Sequence, residues 1–350
     1  MRALVFHGPG KRSWEQVPDP EPRSPTDAVV RVDAVTICGT DLHILAGDVP
    51  EVEPGTILGH EAVGTVTRTG EAVQNLHNGD RVLVSCVSSC ARCRFCRDGR
   101  YGQCLGGGGW ILGHRINGTQ AEAVRVPFAD TSTYRLPDGV SDEAALMLAD
   151  IVPTAYEVGA SAGRVRPADT VAVVGAGPIG LAAILTTRLF SPSCVIAIDP
   201  VPARREAASR FGASLVLDAT TDVEDRIMEA ISAITDGLGV DVAIEAVGVP
   251  ETFELCTRLI RPAGRIANIG VHGRSAALDL AALWDKDITI TTGLVDTAST
   301  RTLLRMLAAG QLDTTPFVTH RYGLDEMQDA YDVFSRPEQS GALKIVLVAS

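Results

Sequence analysis

Residues 170–180 read TVAVVGAGPIG, and this stretch decides how the second half of the chain folds. Its first five residues predict a short buried strand, and the apolar residues up to about residue 190 predict a helix with Pro178 in its first turn. Between them, G-x-G-x-x-G permits a tight turn, close approach of a pyrophosphate to the backbone, and packing of the helix on the strand. We therefore predict dinucleotide contacts at Gly175, Gly177, Pro178, Ile179 and Gly180.

Asp199 favours this interpretation over a glycine-rich turn without a ligand. It ends the next predicted strand, residues 195–199, and lies 19 residues after Gly180. A carboxylate at this position accepts hydrogen bonds from ribose hydroxyls and repels a 2′-phosphate. We therefore expect NAD rather than NADP as the cofactor. Arg204, on the helix predicted for residues 201–211, either softens that preference or belongs to a solvated helix face.

The rest of this half of the chain alternates strands with helices. Further strands are predicted at residues 215–217, 240–245, 265–270 and 288–292. Such alternation is typical of an α/β fold with a parallel, doubly wound sheet. Val247, Gly248, Ile269 and Val271 lie at strand ends, where we expect the nicotinamide to bind.

The first part of the chain has a different pattern. Short strands are predicted at residues 28–35, 62–67, 81–85 and 121–127, with glycine and proline between them. This spacing indicates an antiparallel barrel or sandwich. After about residue 295 the pattern is mixed and ends in a strand, 342–347, that we expect to fold back on the first domain. The predicted domains are 1–152, 153–294 and, as a return to the first, 295–350.

Two short motifs in the first domain carry metal-binding side chains. Cys38 begins the sequence CGTDLH, and His60 lies in GHE at residues 59–61. Thiolate, imidazole and carboxylate are ligand types that zinc selects, and a catalytic zinc keeps three protein ligands and one open position. A metal with an open position polarises an oxygen and so supports chemistry. The alternative is a buried cysteine and a core histidine that are close only in sequence.

Four cysteines form a second metal motif within residues 86–110. They follow the spacing C-x2-C-x2-C-x7-C, and four thiolates on a short loop can close a tetrahedral zinc completely. Because such a site leaves no room for substrate, we expect a structural zinc, with an iron–sulfur cluster as the competing interpretation. The predicted ligands are Cys90, Cys93, Cys96 and Cys104. Cys86 lies outside this spacing.

Composition narrows the functional class. The 350 residues carry a net charge of −12, with 45% apolar and 21% charged residues, as in an ordinary globular protein of about two domains. The acidic balance argues against a nucleic-acid partner, and so against a nucleic-acid-binding zinc ribbon, and against an anionic membrane surface. No apolar run reaches the roughly 18 residues of a membrane span. We expect a cytoplasmic protein, where the eight cysteines would not form a disulfide framework.

In this order the motifs resemble those of the zinc-containing medium-chain alcohol dehydrogenases over nearly the whole chain. The most specific match is Gly-His-Glu at 59–61 followed by Gly64, Gly70 and Val73. The sequence LMLAD, residues 146–150, is similar to the bacterial secondary-alcohol branch. The resemblance implies a Rossmann dinucleotide domain, a mainly-β GroES-like catalytic domain, NAD and two zinc ions per chain. It also implies hydride transfer between small, mainly secondary alcohols and NAD, with reverse reduction of ketones or aldehydes.

The resemblance assigns the ligands of the catalytic zinc. They would be Cys38, His60 and Asp150, with Glu61 a close neighbour that is able to approach the metal as ligands exchange. The zinc would act as a Lewis acid on the substrate oxygen.

A proton relay is implied beside these ligands. Thr40, whose hydroxyl both accepts and donates, would take the alcohol proton. It would pass the proton through the nicotinamide ribose to His43, which releases it near pH 7. Asp41 would orient His60 by accepting the free ring N–H.

Three more residues receive roles by resemblance. Trp110 and Leu294 would wall an apolar substrate pocket, unless they are ordinary core residues, and Lys344 would meet the pyrophosphate. Two alternative functions remain: a polyol dehydrogenase of the sorbitol or butanediol type, and an NAD-binding sensor without a catalytic zinc. The family also suggests a homo-oligomer, with a tetramer favoured over a dimer.

Overall fold

The structure, a computed structural model, describes residues 1–220 and 224–349. It has two compact units. The first comprises Met1–Pro153 and the chain from Val295 onward, and the second comprises Thr154–Leu294. The predicted divisions at 1–152, 153–294 and 295–350 lie within one residue of these bounds.

The strands follow the chain in this order: β1 Arg2–Phe6, β2 Arg12–Gln16, β3 Ala28–Thr36, β4 Ala62–Thr69, β5 Arg81–Val84, β6 Ala123–Val126, β7 Thr133–Arg135, β8 Thr170–Val174, β9 Cys194–Asp199, β10 Leu215–Asp218, β11 Val240–Glu245, β12 Ile260–Asn268, β13 Thr289–Thr292, β14 Val318–Gly323 and β15 Lys344–Val348.

The α-helices are α1 Gly39–Ala46, α2 Arg94–Arg97, α3 Ala129–Ser132, α4 Asp142–Leu146, α5 Ile151–Thr154, α6 Pro178–Thr187, α7 Pro202–Phe211, α8 Glu224–Ile234, α9 Pro250–Leu259, α10 Leu280–Leu283, α11 Thr300–Ala308, α12 Met327–Phe334 and α13 Pro337–Ser340. A π-helical segment covers Ala155–Ser161, and 3₁₀ turns cover Tyr101–Gln103, Arg188–Phe190, Thr315–Phe317 and Leu324–Glu326.

The second unit is built on a six-stranded parallel sheet with the order β10-β9-β8-β11-β12-β13. The strand order changes direction between β8 and β11, and doubly wound sheets bind ligands outside the carboxyl ends of the strands at such a switch point. Buried apolar side chains of β8, β9, β11 and β12 pack with α8 and α9 to form its core. The predicted doubly wound α/β fold is confirmed.

One strand of this sheet differs clearly from its prediction. The sequence predicted a strand at 265–270, but β12 begins at Ile260 and ends at Asn268. The structure keeps Pro262 and Gly264 inside this strand. It does so through an irregularity, because the β11–β12 register shifts between Val240 and Val242 and Ala263 takes a positive φ of 57°.

The first unit is mainly β, as predicted. Its large sheet has the order β14-β15-β3-β4-β5-β7, with β6 also paired to β3, and every pairing except β14–β15 is antiparallel. Because β3 and β4 are antiparallel neighbours, the end of β3 meets the start of β4. This topology brings Cys38, just after β3, to the same end of the sheet as His60, just before β4. The last strand, β15, pairs with β3 and so belongs to this unit.

A buried ion pair ties β12 to the residue before β8. Arg265 Nη2 lies 2.8 Å from Asp169 Oδ2, and the two side chains are 9% and 11% exposed. Arg265 Nη1 donates to the carbonyl of Arg164 at 2.9 Å, and Asp169 Oδ2 also accepts the backbone N–H of Arg166. Removing one partner of such a pair leaves an uncompensated buried charge.

We expect Asp169→Asn to destabilise the protein by about 3 kcal/mol, because the Arg265 guanidinium stays buried without its counter-charge. Urea unfolding followed by circular dichroism measures the change. The control is Glu251→Gln, which removes a pair with Arg274 whose two side chains are both 68% exposed. The control should keep the parental midpoint, and equal midpoints for both variants would contradict the expectation.

Candidate active site

Four potential metal ligands converge in the first unit. One ligand atom from each of Cys38, His60, Glu61 and Asp150 lies within 4.8 Å of all the others. His60 Nε2 is 3.3 Å from Asp150 Oδ2, and Cys38 Sγ is 3.8 Å from the same oxygen. A thiol, an imidazole and carboxylates gathered in this way are a donor set that fits zinc.

Local backbone geometry fixes two of these ligands. Cys38 precedes α1, and its backbone N–H donates to Asp41 Oδ2 at 2.9 Å. Gly59, just before His60, has a φ of +89°, and a Cβ there would lie 2.5 Å from Gln120 Cγ. Only glycine allows both this conformation and this close packing. Asp150 lies between α4 and α5, so the fold brings it to the site from a distant part of the sequence.

The electrostatics of the cluster suit a cation. Burial lowers the pKa of His60, but hydrogen bonds to Asp150 and Cys38 outweigh it and leave that pKa well above the usual value. Burial raises the pKa of the Cys38 thiol. A divalent cation would deprotonate a coordinating thiol and supply the positive charge that these donors lack.

Asp41 lies behind His60, but the predicted hydrogen bond between them is not formed. Asp41 Oδ1 is 3.8 Å from His60 Nδ1, which is longer than a hydrogen bond. The other oxygen, Oδ2, accepts N–H groups from Cys38 and Gln120, both at 2.9 Å. Oδ1 is buried and has no hydrogen-bond partner among the described residues. Asp41 therefore faces the ring nitrogen without bonding it.

The structure gives Lys344 a buried partner that the sequence analysis did not identify. Its side chain is 1% exposed, and its Nζ lies 2.9 and 2.8 Å from the two oxygens of Glu61 and 3.1 Å from the carbonyl of Ile37. Burial lowers the pKa of Lys344, but the attraction of Glu61 outweighs it, so the ammonium form is favoured. Lys344 fixes Glu61 beside the potential metal ligands. Its contact with a pyrophosphate stays a prediction.

The two residues of the predicted relay share α1 but have different surroundings. Thr40 Oγ1 lies 3.6 Å from Cys38 Sγ, so its hydroxyl is next to a potential ligand. His43 follows one turn later, is 48% exposed and has its Nδ1 2.8 Å from Asp48 Oδ2. Thr40 thus lies at the site and His43 near solvent, and a relay between them stays a prediction.

Aromatic packing places one of the two predicted pocket residues at the site. Trp110 meets the ring of His60 edge-on at 6.3 Å between centroids and stacks on His114 at 4.2 Å. Trp110 therefore borders the cluster of potential metal ligands. Leu294 ends the second unit and is 44% exposed. Its role in a pocket remains untested.

Sequence reasoning missed one thiol at this site. Cys86 is buried, its backbone N–H donates to the carbonyl of Ala149, and its thiol forms a hydrogen bond with Asp150. Burial, followed by the nearby charge of Asp150, raises the pKa of Cys86 well above its usual value. Its place directly after β5 was the available signal, because β5 neighbours β4, the strand that follows His60 and Glu61.

The four-cysteine loop forms a compact second cluster. One sulfur from each of its members lies within 4.8 Å of the others: Cys90, Cys93, Cys96 and Cys104. Backbone N–H groups of Cys96 and Leu105 donate to the Cys93 sulfur and lower its pKa to about 6. A Cβ at Gly108 would lie 2.2 Å from the carbonyl oxygen of Ser88, so the loop needs glycine there. Converging sulfurs that accept amide hydrogens fit a closed tetrahedral metal site.

The glycine-rich loop of the second unit has the geometry that its pattern predicts. Gly175 has a φ of +97°, and a Cβ at Gly180 would lie 1.9 Å from the Gly175 oxygen. Apart from its own chain neighbours, no described residue places an atom within 4 Å of a potential Cβ at Gly177, so the space beside it is open. Asp199 Oδ2 accepts the backbone N–H of Ala176 at 2.8 Å, which joins the acidic residue to the loop.

The remaining predicted cofactor residues surround the same sheet edge. Arg204 Nη1 is 3.9 Å from Asp199 Oδ2. Glu245, which the sequence analysis did not single out, accepts the backbone N–H groups of Val247 and Gly248 at 2.8 and 2.9 Å. Val247 and Val271 are 48% and 68% exposed, whereas Ile269 is buried. The exposed side chains of Val247 and Val271 are therefore available to contact a ligand.

Comparisons with known proteins agree with this geometry. A family model described as the alcohol dehydrogenase GroES-like domain matches residues 24–138, and one described as zinc-binding dehydrogenase matches residues 178–309. An alcohol dehydrogenase of Cupriavidus necator is 38% identical, over 99% of this chain and 98% of its own length. The chain belongs to the zinc-containing medium-chain alcohol dehydrogenases. It is therefore an oxidoreductase that acts on alcohols, with zinc and a nicotinamide cofactor, as predicted.

Solved structures support the same conclusion. The apo form of zinc dependent alcohol dehydrogenase 2 from Streptococcus pneumonia has a TM-score of 0.95 and 44% identity, covering 100% of this chain and 99% of that one. Sorbitol dehydrogenase of Bacillus subtilis is 31% identical over 95% of this chain and 93% of its own. Among structural relatives, one of 28% identity from Sinorhizobium meliloti is bound to NADP and one of 26% from E. coli to NADH.

No helix among the described residues is long and apolar enough to cross a membrane.

We expect Gly177→Ala to weaken dinucleotide binding by about tenfold or more without unfolding the protein. The new methyl group enters open space in the folded chain but occupies the position where a pyrophosphate approaches. NADH fluorescence titration gives the Kd, and thermal unfolding gives Tm.

Gly180→Ala is the comparison variant, because its methyl group would meet the Gly175 oxygen. We expect it to lower Tm as well as binding. If Gly177→Ala bound NADH as the parent does, the loop would not hold the pyrophosphate.

Proposed function

We propose that this alcohol dehydrogenase holds one catalytic zinc through Cys38, His60 and Asp150. The observation that carries the proposal is the convergence of these donors, with Glu61, within 4.8 Å of one another. We further propose that a second zinc is structural. Its four ligands would be Cys90, Cys93, Cys96 and Cys104.

The chemistry divides between the bound groups and the protein. When bound, zinc acts as a Lewis acid on the substrate oxygen, and the nicotinamide exchanges hydride with the substrate carbon. Thr40, whose hydroxyl lies next to Cys38, takes the proton that the alcohol loses. His43, one turn further along α1 and half-exposed, releases that proton to solvent. Trp110 packs against His60 and keeps one side of the site apolar.

Glu61 has a separate role in this scheme. Its carboxylate lies close to the ligand atoms, and Lys344 holds both of its oxygens. We propose that this ion pair keeps Glu61 near the metal without making it a permanent ligand. Rearrangement of the pair would let Glu61 approach the metal when other ligands exchange.

For the substrate we propose small, mainly secondary alcohols and the corresponding ketones or aldehydes. The apolar indole of Trp110 beside His60 supports this choice, because an apolar wall favours small alkyl groups over sugar hydroxyls. A polyol is the second candidate, since the sorbitol dehydrogenase of Bacillus subtilis is among the relatives at 31% identity.

For the cofactor we propose NAD over NADP. Asp199 is 2% exposed, and its two oxygens accept the backbone N–H groups of Ala176 and Val201, both at 2.8 Å. These bonds hold the carboxylate in place at the end of β9, where it would repel a 2′-phosphate. Arg204 lies 3.9 Å away and reduces that repulsion.

We also propose a homo-oligomer, with a tetramer favoured over a dimer. Leu280 and Trp284 are 63% and 80% exposed, and both lie close in sequence to β13, the edge strand of the parallel sheet. Exposed apolar side chains beside an open sheet edge are typical of an interface. Light scattering measures the assembly directly. We also propose a cytoplasmic location, which agrees with eight cysteines that form no disulfide in the structure.

We expect two zinc ions per purified chain and one in Cys38→Ser, because removal of the thiolate leaves the catalytic site too few strong ligands. Turnover should fall by at least about a thousandfold. Cys93→Ser is the matched variant, since it also loses one ion but from the four-cysteine cluster. Plasma emission spectrometry counts the metal, and two ions in Cys38→Ser would contradict the assignment.

We expect kcat/KM to be higher with NAD than with NADP, and higher for propan-2-ol than for a primary alcohol or sorbitol. The carboxylate of Asp199 is the reason for the cofactor preference, and the apolar wall at Trp110 is the reason for the preference over sorbitol. The preference over a primary alcohol rests on the similarity of residues 146–150 to the secondary-alcohol branch. Initial rates with each substrate and both cofactors test the two claims separately. A preference for NADP would overturn the first, and a preference for sorbitol the second.

A further inference from the structure

A buried chain of polar groups leads from α12 to the ligand His60. We propose that Tyr331 and Gln120 are positioning residues for the catalytic metal, acting on His60 through Asp41. The proposal rests on the proposed function, because it takes His60 as a ligand of that metal. All four residues are at most 3% exposed, so water cannot easily replace any of their contacts.

The contacts in this chain are short. The Tyr331 hydroxyl donates to Gln120 Oε1 at 2.7 Å, and Gln120 Nε2 donates to Asp41 Oδ2 at 2.9 Å. Nε2 also donates to the carbonyl of Thr36 at 3.4 Å. Hydrogen bonds thus link the phenol, the amide and the carboxylate in that order. Each group donates to the next one, from the hydroxyl towards the metal site.

The chemistry of the partners fixes the orientation of the amide. A carboxylate oxygen only accepts hydrogen bonds. Asp41 Oδ2, which also accepts the N–H of Cys38, must therefore face a donor of Gln120. This places Nε2 towards Asp41 and leaves Oε1 towards Tyr331, which must donate. Without the Tyr331 hydroxyl, Oε1 would be a buried acceptor without that donor, and the amide would lose the contact that holds its orientation.

The far end of the chain is held by Gln120 and the N–H of Cys38. Because both bind Oδ2, they set the direction in which Oδ1 points, which is towards His60 Nδ1 at 3.8 Å. Oδ1 has no hydrogen-bond partner among the described residues, so it is available to the imidazole when the ring moves to its ligand position. Groups behind a ligating histidine fix its tautomer and ring orientation.

Tyr331 is itself firmly placed. It is fully buried on α12, and the Arg12 guanidinium lies 4.9 Å from its ring centroid. Arg12 also pairs with Asp332 at 2.6 Å, which holds the cation over the ring. The hydroxyl therefore has little freedom to follow Gln120. The helix near the C-terminus in this way contributes to the geometry of a ligand that lies 271 positions earlier in the sequence.

The test compares Tyr331→Phe with Tyr134→Phe. Tyr134 donates to the carbonyl of Thr297 at 2.7 Å, so the control deletes an O–H···O bond of equal length that is outside the chain to His60. Competition with a chelator gives the Kd of catalytic-site zinc, and the absorption bands of the cobalt-substituted site report ligand geometry. The four-cysteine site of the same molecule serves as the internal reference.

We expect Tyr331→Phe to raise the Kd of catalytic zinc about tenfold or more and to alter the cobalt bands, with the four-cysteine site unchanged. Tyr134→Phe should keep the parental Kd and bands, whatever its effect on Tm. If the two variants gave the same Kd and the same bands, the inference would be overturned. If Cys38→Ser removed no metal in the first place, the proposed function itself would fail instead.

A second variant tests the route. Gln120→Met removes both ends of the amide link, and adding Tyr331→Phe to it should cause no further rise in Kd, because the hydroxyl acts only through Gln120. A full additional effect in the double variant would contradict this route. Should Gln120→Met fail to fold, the comparison of the two tyrosine variants still decides the inference.

Discussion

The first unit depends on one electrostatic constraint, the burial of several metal-ligand groups in a small volume. A thiol, an imidazole and two carboxylates place ligand atoms within 4.8 Å of one another. Two like charges about 4 Å apart repel by about 4 kcal/mol at an effective dielectric constant of about 20. Such a cluster needs protons or a cation. A divalent metal meets that need, and as a Lewis acid it would also polarise the substrate oxygen.

Neighbouring groups compensate the negative charges of Glu61 and Asp41, which are not among the proposed permanent zinc ligands. Lys344 neutralises Glu61 inside the protein, and the N–H groups of Cys38 and Gln120 solvate one oxygen of Asp41. Gly59, which precedes His60, has a positive φ and lies in close contact with Gln120. No other residue type would allow this backbone path to His60. The site is therefore a set of coupled contacts, and its geometry comes from strands and helices that are distant in sequence.

Short-range patterns predicted much of the molecule because their causes are local. The glycine loop at 175–180 needs its glycines for turn geometry and packing. The four-cysteine loop carries all its potential ligands within residues 90–104. What was missed depends on long-range contacts. The sequence neighbourhood of Lys344 cannot show that it meets Glu61, which is 283 positions away. The Tyr331–Gln120 bond spans 211 positions and left no local signal.

The most direct measurement of the central claim is an anomalous difference map, collected at the zinc absorption edge from crystals of the zinc-loaded protein. We predict a peak within zinc-bonding distance, about 2.0–2.3 Å, of Cys38 Sγ and a ring nitrogen of His60, and a second peak inside the four-cysteine cluster. A map with density only at the cysteine cluster, from protein that turns over alcohol, would contradict it.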